Sequence, residues 1–337
     1  MNGRERILAA LRGQPVDRVP VMLHNFLMAA REAGVSMAEF RRSGKAIARS
    51  FIQAVETYGY DGVVVDVDTA MLAGAVGVPV DFPDDMPARC HEPRLTQLAD
   101  VSRLKPVRVE DYFEIRAAVE AVSLLKEYFK GEIAVRGNCD QCPFSLAGLI
   151  RGLAGWMTDL VEGPEELVRE LLEYAKGVTK QFLGLMAEAG ADILSNGDSP
   201  AGPDMISPRM YRMFAQPSEE AIAAESHRLG RPYILHICGK TDLILGDMAA
   251  TGADGLELDY KTDMRLARKR FEGKTTFIGN IDPSGVLALG TPALVEKKTR
   301  ELLEVFTGTS RFILNAGCAI PAETPSENLK AMLRARG

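Results

Sequence analysis

Two cysteines and one histidine occupy positions from which they could bind a single metal ion. In the segment ILHICG, His236 and Cys238 are two residues apart, so on a β-strand both side chains point to the same face. Cys318 follows eighty positions after Cys238, at the end of another apolar segment. Two thiolates and an imidazole suit zinc, and three protein ligands leave a fourth position open, as in catalytic zinc sites. The alternative is that the cysteines are core thiols and His236 is a satisfied polar residue.

Two carboxylates are candidates for the fourth position of such a site. In GLELDY, Glu257 and Asp259 alternate along one strand and therefore share a face. Either could act as a catalytic residue that fills the open position until substrate displaces it. Asp259 lies nearer the end of the strand and is the preferred candidate. Alternatively, either side chain could orient His236 or cap the following helix.

A second cysteine pair stands in the segment RGNCDQCPFS. Cys139 and Cys142 form a CxxC sequence directly before a proline and a predicted helix. This arrangement is typical of a dithiol redox centre with a lowered thiol pKa. Both cysteines could equally be ordinary loop residues. Cys90 and His91 lie in a segment rich in proline and acidic residues, and no catalytic role is expected for them.

Short apolar, β-branched segments recur along the chain, and a longer helical stretch follows each of them. Their near-continuous hydrophobicity is typical of strands buried on both faces of a parallel sheet. Eight strand–helix alternations favour an α/β fold of the (β/α)8 TIM-barrel type over an open doubly wound sheet. The predicted strands cover residues 20–23, 61–67, 132–138, 191–198, 232–239, 253–260, 274–282 and 311–318.

Every predicted strand ends on at least one polar side chain, where a barrel of this type builds its active site. Individually, such Asn and Asp residues also serve as turn formers and helix caps. The polar strand ends are His24, Asn25, Asp66, Asp68, Asn138, Asp140, Asn196, Asp198, His236, Cys238, Glu257, Asp259, Asn280, Asp282, Asn315 and Cys318.

The composition fits one barrel domain over residues 1–337, with an irregular insertion near 76–95. The chain is 46% hydrophobic and 26% charged, and its net charge of −6 with dispersed basic residues argues against nucleic-acid binding. No apolar run approaches the roughly 18 residues of a membrane span. Without a recognisable export signal, five cysteines indicate a cytoplasmic protein. If it is oligomeric, a homodimer is the expected default.

Several segments together resemble the uroporphyrinogen decarboxylase superfamily along nearly the whole chain. They are RERILAALRGQPVDRVPV, CPFSLAGLIRGLAGWMTDLVEGPEEL, GADILSNGDSPAGPDMISPRMYRMFAQP, GNIDPSGVLALGTPALVEK and CAIPAETPSENLKAML. The superfamily has the same barrel fold. One branch of it, the zinc-dependent corrinoid methyltransferases, carries His-x-Cys followed about eighty residues later by Cys. His236, Cys238 and Cys318 match that pattern.

The resemblance implies methyl transfer between a corrinoid and a small thiol, methoxylated or methylated compound. The corrinoid would be methylcobalamin, either free or on a partner protein. There are departures from the family patterns. The decarboxylases carry Arg-Gln-Ala-Gly after the first strand, but this chain reads MLHNFLMAAREAG, with Arg31 several residues later. Asp66 does match their pyrrole-binding aspartate, and Asp259 stands where the coenzyme M enzymes place a different carboxylate segment.

The sequence thus predicts a zinc-dependent corrinoid methyltransferase. In this hypothesis the metal ligands are His236, Cys238 and Cys318, the catalytic carboxylates are Asp259 and Glu257, and the substrate-binding residues are Asp66, Asn138, Asn196 and Asp198. One alternative is a metal-free porphyrinogen decarboxylase, which would need a cluster of arginines in the barrel mouth. The other is a non-catalytic protein that binds a corrinoid or porphyrin.

Overall fold

The computed structural model describes residues 1–271 and 273–336 and contains an eight-stranded parallel sheet. The strands follow one another around the sheet in chain order, and a parallel bridge between Val21 and Leu314 joins the last strand to the first. The prediction of a (β/α)8 barrel is therefore confirmed. The strands are β1 Met22–Leu23, β2 Gly62–Val65, β3 Ala134–Gln141, β4 Ile193–Gly197, β5 Tyr233–Ile237, β6 Gly255–Leu258, β7 Thr276–Ile281 and β8 Phe312–Ala316.

Helices surround the sheet and connect its strands. The α-helices are α1 Gly3–Arg12, α2 Phe26–Glu32, α3 Met37–Arg42, α4 Gly44–Tyr58, α5 Met71–Ala75, α6 Phe113–Phe129, α7 Pro143–Arg151, α8 Leu153–Glu162, α9 Glu165–Glu188, α10 Pro208–Met210, α11 Gln216–Arg228, α12 Leu245–Ala250, α13 Met264–Arg270, α14 Pro292–Val305 and α15 Ser326–Ala335. Short 3₁₀ segments cover Leu98–Arg103, Val109–Asp111 and Ser199–Ala201, and π-helical segments cover Tyr211–Ala215 and Pro283–Ala288. No described helix is long and apolar enough to cross a bilayer.

The lower end of the barrel is closed by an apolar layer, here called the floor. Helix α1 supplies three of its residues from below the strands and is held by a capping box between Asn2 and Glu5. Full burial of one such aliphatic side chain stabilises the fold by roughly 1.5–3 kcal/mol. The floor consists of Ile7, Ala10, Leu11, Met22, Val64, Ala134, Ile193, Ile234, Ile278 and Ile313.

The insertion between β2 and α6 is less irregular than its sequence predicts. It contains two short antiparallel strands, Val80–Asp81 and Arg89–Cys90. The buried Arg41 fastens it to the barrel, because its guanidinium donates to the Asp68 carboxylate at 2.7 Å and to the carbonyl oxygens of Pro83 and Met86. The Asp68 carboxylate also accepts from the backbone NH of Ala88 at 3.2 Å. These bonds hold the insertion beside the C-terminal end of β2.

Candidate metal centre and substrate cavity

The structure brings His236, Cys238 and Cys318 together at the C-terminal mouth of the barrel. The Nε2 atom of His236 lies 3.0 Å from Cys238 Sγ, and the two sulfur atoms are 3.8 Å apart. All three donor atoms fall within 4.8 Å of one another. These three residues, His236, Cys238 and Cys318, are here called the metal cluster. His236 comes from β5, whereas Cys318 follows β8, so barrel closure joins residues that are 82 positions apart. One ion of the size of zinc can contact an imidazole and two thiolates in this arrangement.

The orientation of His236 suits metal binding through Nε2. Strands β5 and β6 pair with His236 opposite Glu257, and the ring Nδ1 lies 3.0 Å from the Glu257 carbonyl oxygen. Because Nδ1–H donates to this carbonyl, Nε2 is the nitrogen that faces Cys238 and can bind a metal once its proton is displaced. A histidine ligand is commonly fixed in this way by a second hydrogen bond behind the metal.

The two thiols of the cluster have different proton affinities. The hydrogen bond from Cys318, together with the charge and hydrogen bond of His236, lowers the pKa of Cys238 to about 3. The pKa of Cys318 is raised, first by its hydrogen bond to Cys238 and then by burial. Burial would lower the pKa of His236, but the Cys238 thiolate raises it to about 9. Cys238 is thus held as a thiolate, the form in which sulfur binds metals.

Glu257 lies between the floor and the metal cluster, in a layer of polar side chains that also contains Arg136 and Asn315 and is here called the polar layer. Its Oε2 accepts from Arg136 Nη2 at 2.6 Å, and its Oε1 accepts from Asn315 Nδ2 at 2.7 Å. Burial alone would raise the pKa of Glu257, but the charges of Arg136 and His236 outweigh burial and lower it to about 2. Glu257 is therefore a carboxylate directly beneath the cluster.

Asp259 has a different environment from the one the sequence predicts. Its Oδ2 accepts from the backbone NH of Gly239 at 3.0 Å, and its Oδ1 accepts from the NH of Lys261 at 2.9 Å. Its carboxylate thereby ties the loop after β5 to the loop after β6. Asp259 does not line the cavity beside the cluster, whereas Glu257 does.

A cavity of about 210 Å³ opens next to the metal cluster. On one side it is lined by His236, Cys238, Cys318 and Glu257, and the apolar part of its wall includes Phe26, Leu27 and Met37. The opposite side carries three carboxyl groups, those of Asp66, Asp68 and Asp140. A cavity of this size is smaller than the pockets of roughly 300–1,000 Å³ that enclose drug-sized ligands.

Two of the four predicted substrate-binding residues line this cavity, namely Asp66 and Asn138. Asp66 Oδ2 lies 2.7 Å from His24 Nε2, and Asn138 Oδ1 accepts from Ser195 Oγ at 3.0 Å. The other two lie behind the wall. Asn196 donates to the carbonyl oxygens of Cys139 and Gln141. Asp198 Oδ1 accepts from the backbone NH and the hydroxyl of Ser145, both at the start of α7.

Arg136 is a site residue that the sequence analysis missed. It is 2% exposed, donates from Nε to Ser195 Oγ at 2.7 Å and pairs with Glu257. Its Nη1 is buried and has no partner among the described residues. The signal that could have found it is a charged residue inside the apolar strand IAVRGN, since buried charges are almost always paired.

Cys139 and Cys142 form neither a disulfide nor part of the metal cluster in the described chain. Both are fully buried, and burial raises the pKa of each thiol. The Cys142 sulfur lies 3.4 Å from the hydroxyl of Tyr233, and Cys139 Sγ lies 3.7 Å from the carbonyl oxygen of Gly137. A redox dithiol needs a lowered thiol pKa and access to solvent, so this environment favours the interpretation without a redox role. The prediction that both are loop residues does not fit, since Cys139 lies in β3 and Cys142 is the N-cap of α7.

The model of the uroporphyrinogen decarboxylase (URO-D) family matches residues 2–337. The chain belongs to this family. It is 30% identical to the methylcobamide:CoM methyltransferase MtbA of Methanosarcina mazei over 335 residues, which is 98% of this chain and 96% of that relative. It is also 29% identical to the uroporphyrinogen decarboxylase of Streptomyces coelicolor, with 97% and 92% of the two chains covered.

A solved structure of a methyltransferase from Methanosarcina mazei has the same fold. It superposes with a TM-score of 0.92 at 24% identity and covers 100% of this chain and 98% of its own. The relatives of this URO-D family member include methyltransferases and decarboxylases at nearly equal identity. Overall similarity therefore does not separate the two activities, and the chemistry of the mouth has to do so.

Proposed function

We propose that this URO-D family protein is a zinc-dependent methyltransferase that moves a methyl group between a small substrate and a corrinoid. The observation that carries the proposal is the convergence of His236, Cys238 and Cys318 within 4.8 Å beside a cavity. A true decarboxylase of a porphyrinogen has no need of such a thiolate–imidazole set. Three protein ligands also leave room for substrate at the metal.

The residues present fit zinc, and each has a defined part in holding it. His236 supplies Nε2, fixed by its bond to the Glu257 carbonyl, and Cys238 supplies a thiolate. When bound, zinc acts as a Lewis acid that lowers the pKa of a substrate thiol or polarises a leaving oxygen. Glu257, held by Arg136 and Asn315, places a negative charge under the cluster. We assign this role to Glu257 in place of Asp259, whose carboxylate is engaged by backbone amides.

The size of the cavity supports a small substrate and not a tetrapyrrole inside the barrel. Its 210 Å³ can hold a methyl donor or acceptor of a few heavy atoms. The corrinoid, free or on a partner protein, would approach the mouth from outside. Among the described residues that line the cavity, Arg136 is the one arginine, and it is paired with Glu257. The cluster of arginines that the decarboxylase alternative predicts is not part of this lining.

The proposal is tested with purified protein and free methylcobalamin. We expect about one zinc per chain and transfer of the methyl group from methylcobalamin to a suitable thiol, such as coenzyme M, which leaves cob(I)alamin. In the other direction, cob(I)alamin supplied in place of methylcobalamin should be methylated by a methoxylated compound, which is released as the alcohol or phenol. Cys238→Ala should lose both zinc and activity, while Cys90→Ala, a cysteine change in the insertion, should keep both. Zinc-free turnover of uroporphyrinogen by the wild type would overturn the proposal. A cytoplasmic location and a homodimer remain predictions from the sequence.

A further inference from the structure

The C-terminal end of β3, where the strand pairing with β4 is irregular between Asn138 and Gln141, carries Asp140 into the wall of the cavity. Asp140 lies between Cys139 and Cys142, the cysteine pair to which the proposed chemistry assigns no role. Hydrogen bonds hold this strand end on both sides of Asp140. Asn196 Nδ2 donates to the Cys139 carbonyl oxygen at 2.6 Å, and Thr179 Oγ1 donates to that of Gln141 at 3.1 Å. These two bonds to backbone carbonyl oxygens fix the segment that presents Asp140.

Asp140 is a buried carboxyl group whose hydrogen bonding is incomplete. It is 2% exposed, and its Oδ2 accepts from the backbone NH of Leu72 at 2.7 Å. The Gln141 side chain also interacts with this carboxyl group, but Oδ1 makes no hydrogen bond of good geometry to the described residues, and the side chain lines the cavity. A buried acceptor left without a partner destabilises the folded protein, and more so if it is charged. Such a group in a cavity wall indicates a place for a ligand.

The charged groups around Asp140 are already paired with each other. Asp66 is bonded to His24, Asp68 to Arg41, and Glu257 to Arg136. No described cation forms an ion pair with Asp140. Burial, followed by the negative charges of Asp66 and Asp68, raises the pKa of Asp140 well above its ordinary range. A cationic ligand beside Asp140 would offset both the burial and the repulsion from the two neighbouring carboxylates, because opposite charge favours the ionised carboxylate.

The remaining wall of the cavity suits an alkylated cation better than a bare ammonium ion. Phe26, Leu27 and Met37 line it, and the only hydrogen-bond acceptor among these three side chains is the weak thioether sulfur of Met37. The Phe26 ring is tilted by 31° to the ring of His24 at a centroid distance of 5.6 Å. Methyl groups on nitrogen can pack against these apolar surfaces, and an aromatic face attracts a quaternary ammonium group.

We propose that Asp140 binds a cationic, methylated nitrogen of the small substrate, opposite the metal cluster in the same cavity. This inference rests on the proposed function, since it names the class of substrate on which that site acts. The CxxC sequence is then part of the segment at the end of β3 that presents a substrate-binding residue, and both of its thiols are buried.

Calorimetric titration of the zinc-loaded protein with a matched pair of ligands tests this inference. Choline and 3,3-dimethylbutan-1-ol have the same shape and differ in the cationic nitrogen. We expect choline to bind at least about tenfold more tightly, because its permanent positive charge attracts the ionised Asp140 carboxylate and the neutral carbon analogue cannot. Asp140→Asn should remove this preference. Asp84→Asn, which deletes an exposed carboxylate of the insertion, should retain it.

A second readout follows the proton on Asp140. Choline is permanently charged and cannot release a proton, so protons released on its binding come from the protein. Titrations at neutral pH in buffers of different ionisation enthalpy should show release of up to one proton in the wild type and none in Asp140→Asn. A merely structural Asp140 would not give this difference.

The outcomes separate this inference from the proposed function. Equal binding of choline and its neutral analogue to the wild type overturns the inference, whether or not Asp140→Asn folds. Tighter binding of an anionic analogue such as 3,3-dimethylbutanoate also overturns it. A zinc protein that transfers methyl groups but fails to prefer choline contradicts the inference alone. A protein that prefers choline but holds no zinc and transfers no methyl group contradicts the proposed function alone.

Discussion

The molecule contains two pairs of cysteines with opposite properties. Cys238 and Cys318 are far apart in sequence, partly exposed, and adjacent to an imidazole that helps lower the pKa of one of them. Cys139 and Cys142 are separated by two residues, fully buried, and have raised pKa values. The pair with the familiar CxxC spacing is thus the inert one. Reactivity of a thiol is set by its surroundings in the fold, and spacing along the chain is a weaker guide.

The largest expected difference between the pairs is in metal binding. Cys238→Ser or Cys318→Ser removes a thiol of the proposed zinc site. Zinc affinity should therefore fall by more than the roughly 10–100-fold that follows loss of a residue that only hydrogen-bonds to a metal ligand. Cys139→Ser and Cys142→Ser should bind zinc as the wild type does. Metal analysis after dialysis against a competing chelator measures the effect. Loss of zinc from the Cys142 variant with the fold intact would contradict the comparison.

The next largest effect is expected for substitution of Glu257, the carboxylate beneath the cluster. Glu257→Gln leaves the buried Arg136 without its carboxylate, and breaking a buried ion pair costs about 3–5 kcal/mol. Since the pKa of Glu257 is lowered from 4.5 to about 2, its stabilising effect is complete above about pH 4.5 and is lost as pH falls through 2. Urea unfolding at pH 7, 4 and 3 should show that the difference in free energy of unfolding between the wild type and the variant becomes smaller as the pH falls. A difference in free energy of unfolding that stays the same at all three pH values would contradict this prediction.

Thiol labelling should separate the pairs kinetically. In zinc-free protein at pH 6, iodoacetamide should modify Cys238 about 100-fold faster than the other cysteines, because only a thiolate reacts. Cys90 should be slow, since burial raises its pKa to about 11. Peptide mapping over time identifies the labelled residue. Rapid modification of Cys139 or Cys142 in the folded protein would show that the end of β3 opens.

The smallest effect is expected for packing in the buried pair. Cys139→Ala and Cys142→Ala remove one sulfur atom each from a filled core and should destabilise the protein by about 1–2 kcal/mol. Zinc content should not change. Thermal or urea unfolding of the holoprotein provides the measurement. Free energies of unfolding equal to that of the wild type would mean that these side chains do not contribute to packing of the core.

The barrel could be predicted because its signal is local. Each strand appears as a short apolar segment, and the ends of parallel strands must meet at one edge of the sheet. That reasoning placed His236, Cys238 and Cys318 in the mouth. It could not tell which strand-end carboxylates face the cavity. Asp259 is occupied by backbone NH groups, and this depends on how the loops after β5 and β6 fold back.

The same limit applies to Asn196, Asp198 and Arg136. Position at a strand end shows that a side chain is near the mouth, but hydrogen bonds to distant segments decide whether it points into the cavity. Asn196 braces the end of β3, and Asp198 holds the start of α7. Arg136 finds its partner Glu257 121 positions later in the chain. Such pairings follow from tertiary structure and leave no periodic pattern in the sequence.

The apolar floor beneath the polar layer has a consequence for the order of events in a catalytic cycle. Because helix α1 and the strand residues seal the lower end of the barrel, small molecules enter and leave through the mouth. A large corrinoid partner that covers the mouth closes this route. The small substrate must therefore arrive first, and its product must depart last. Steady-state kinetics should accordingly follow a compulsory-order sequential scheme, with the partner's concentration affecting release of the small product.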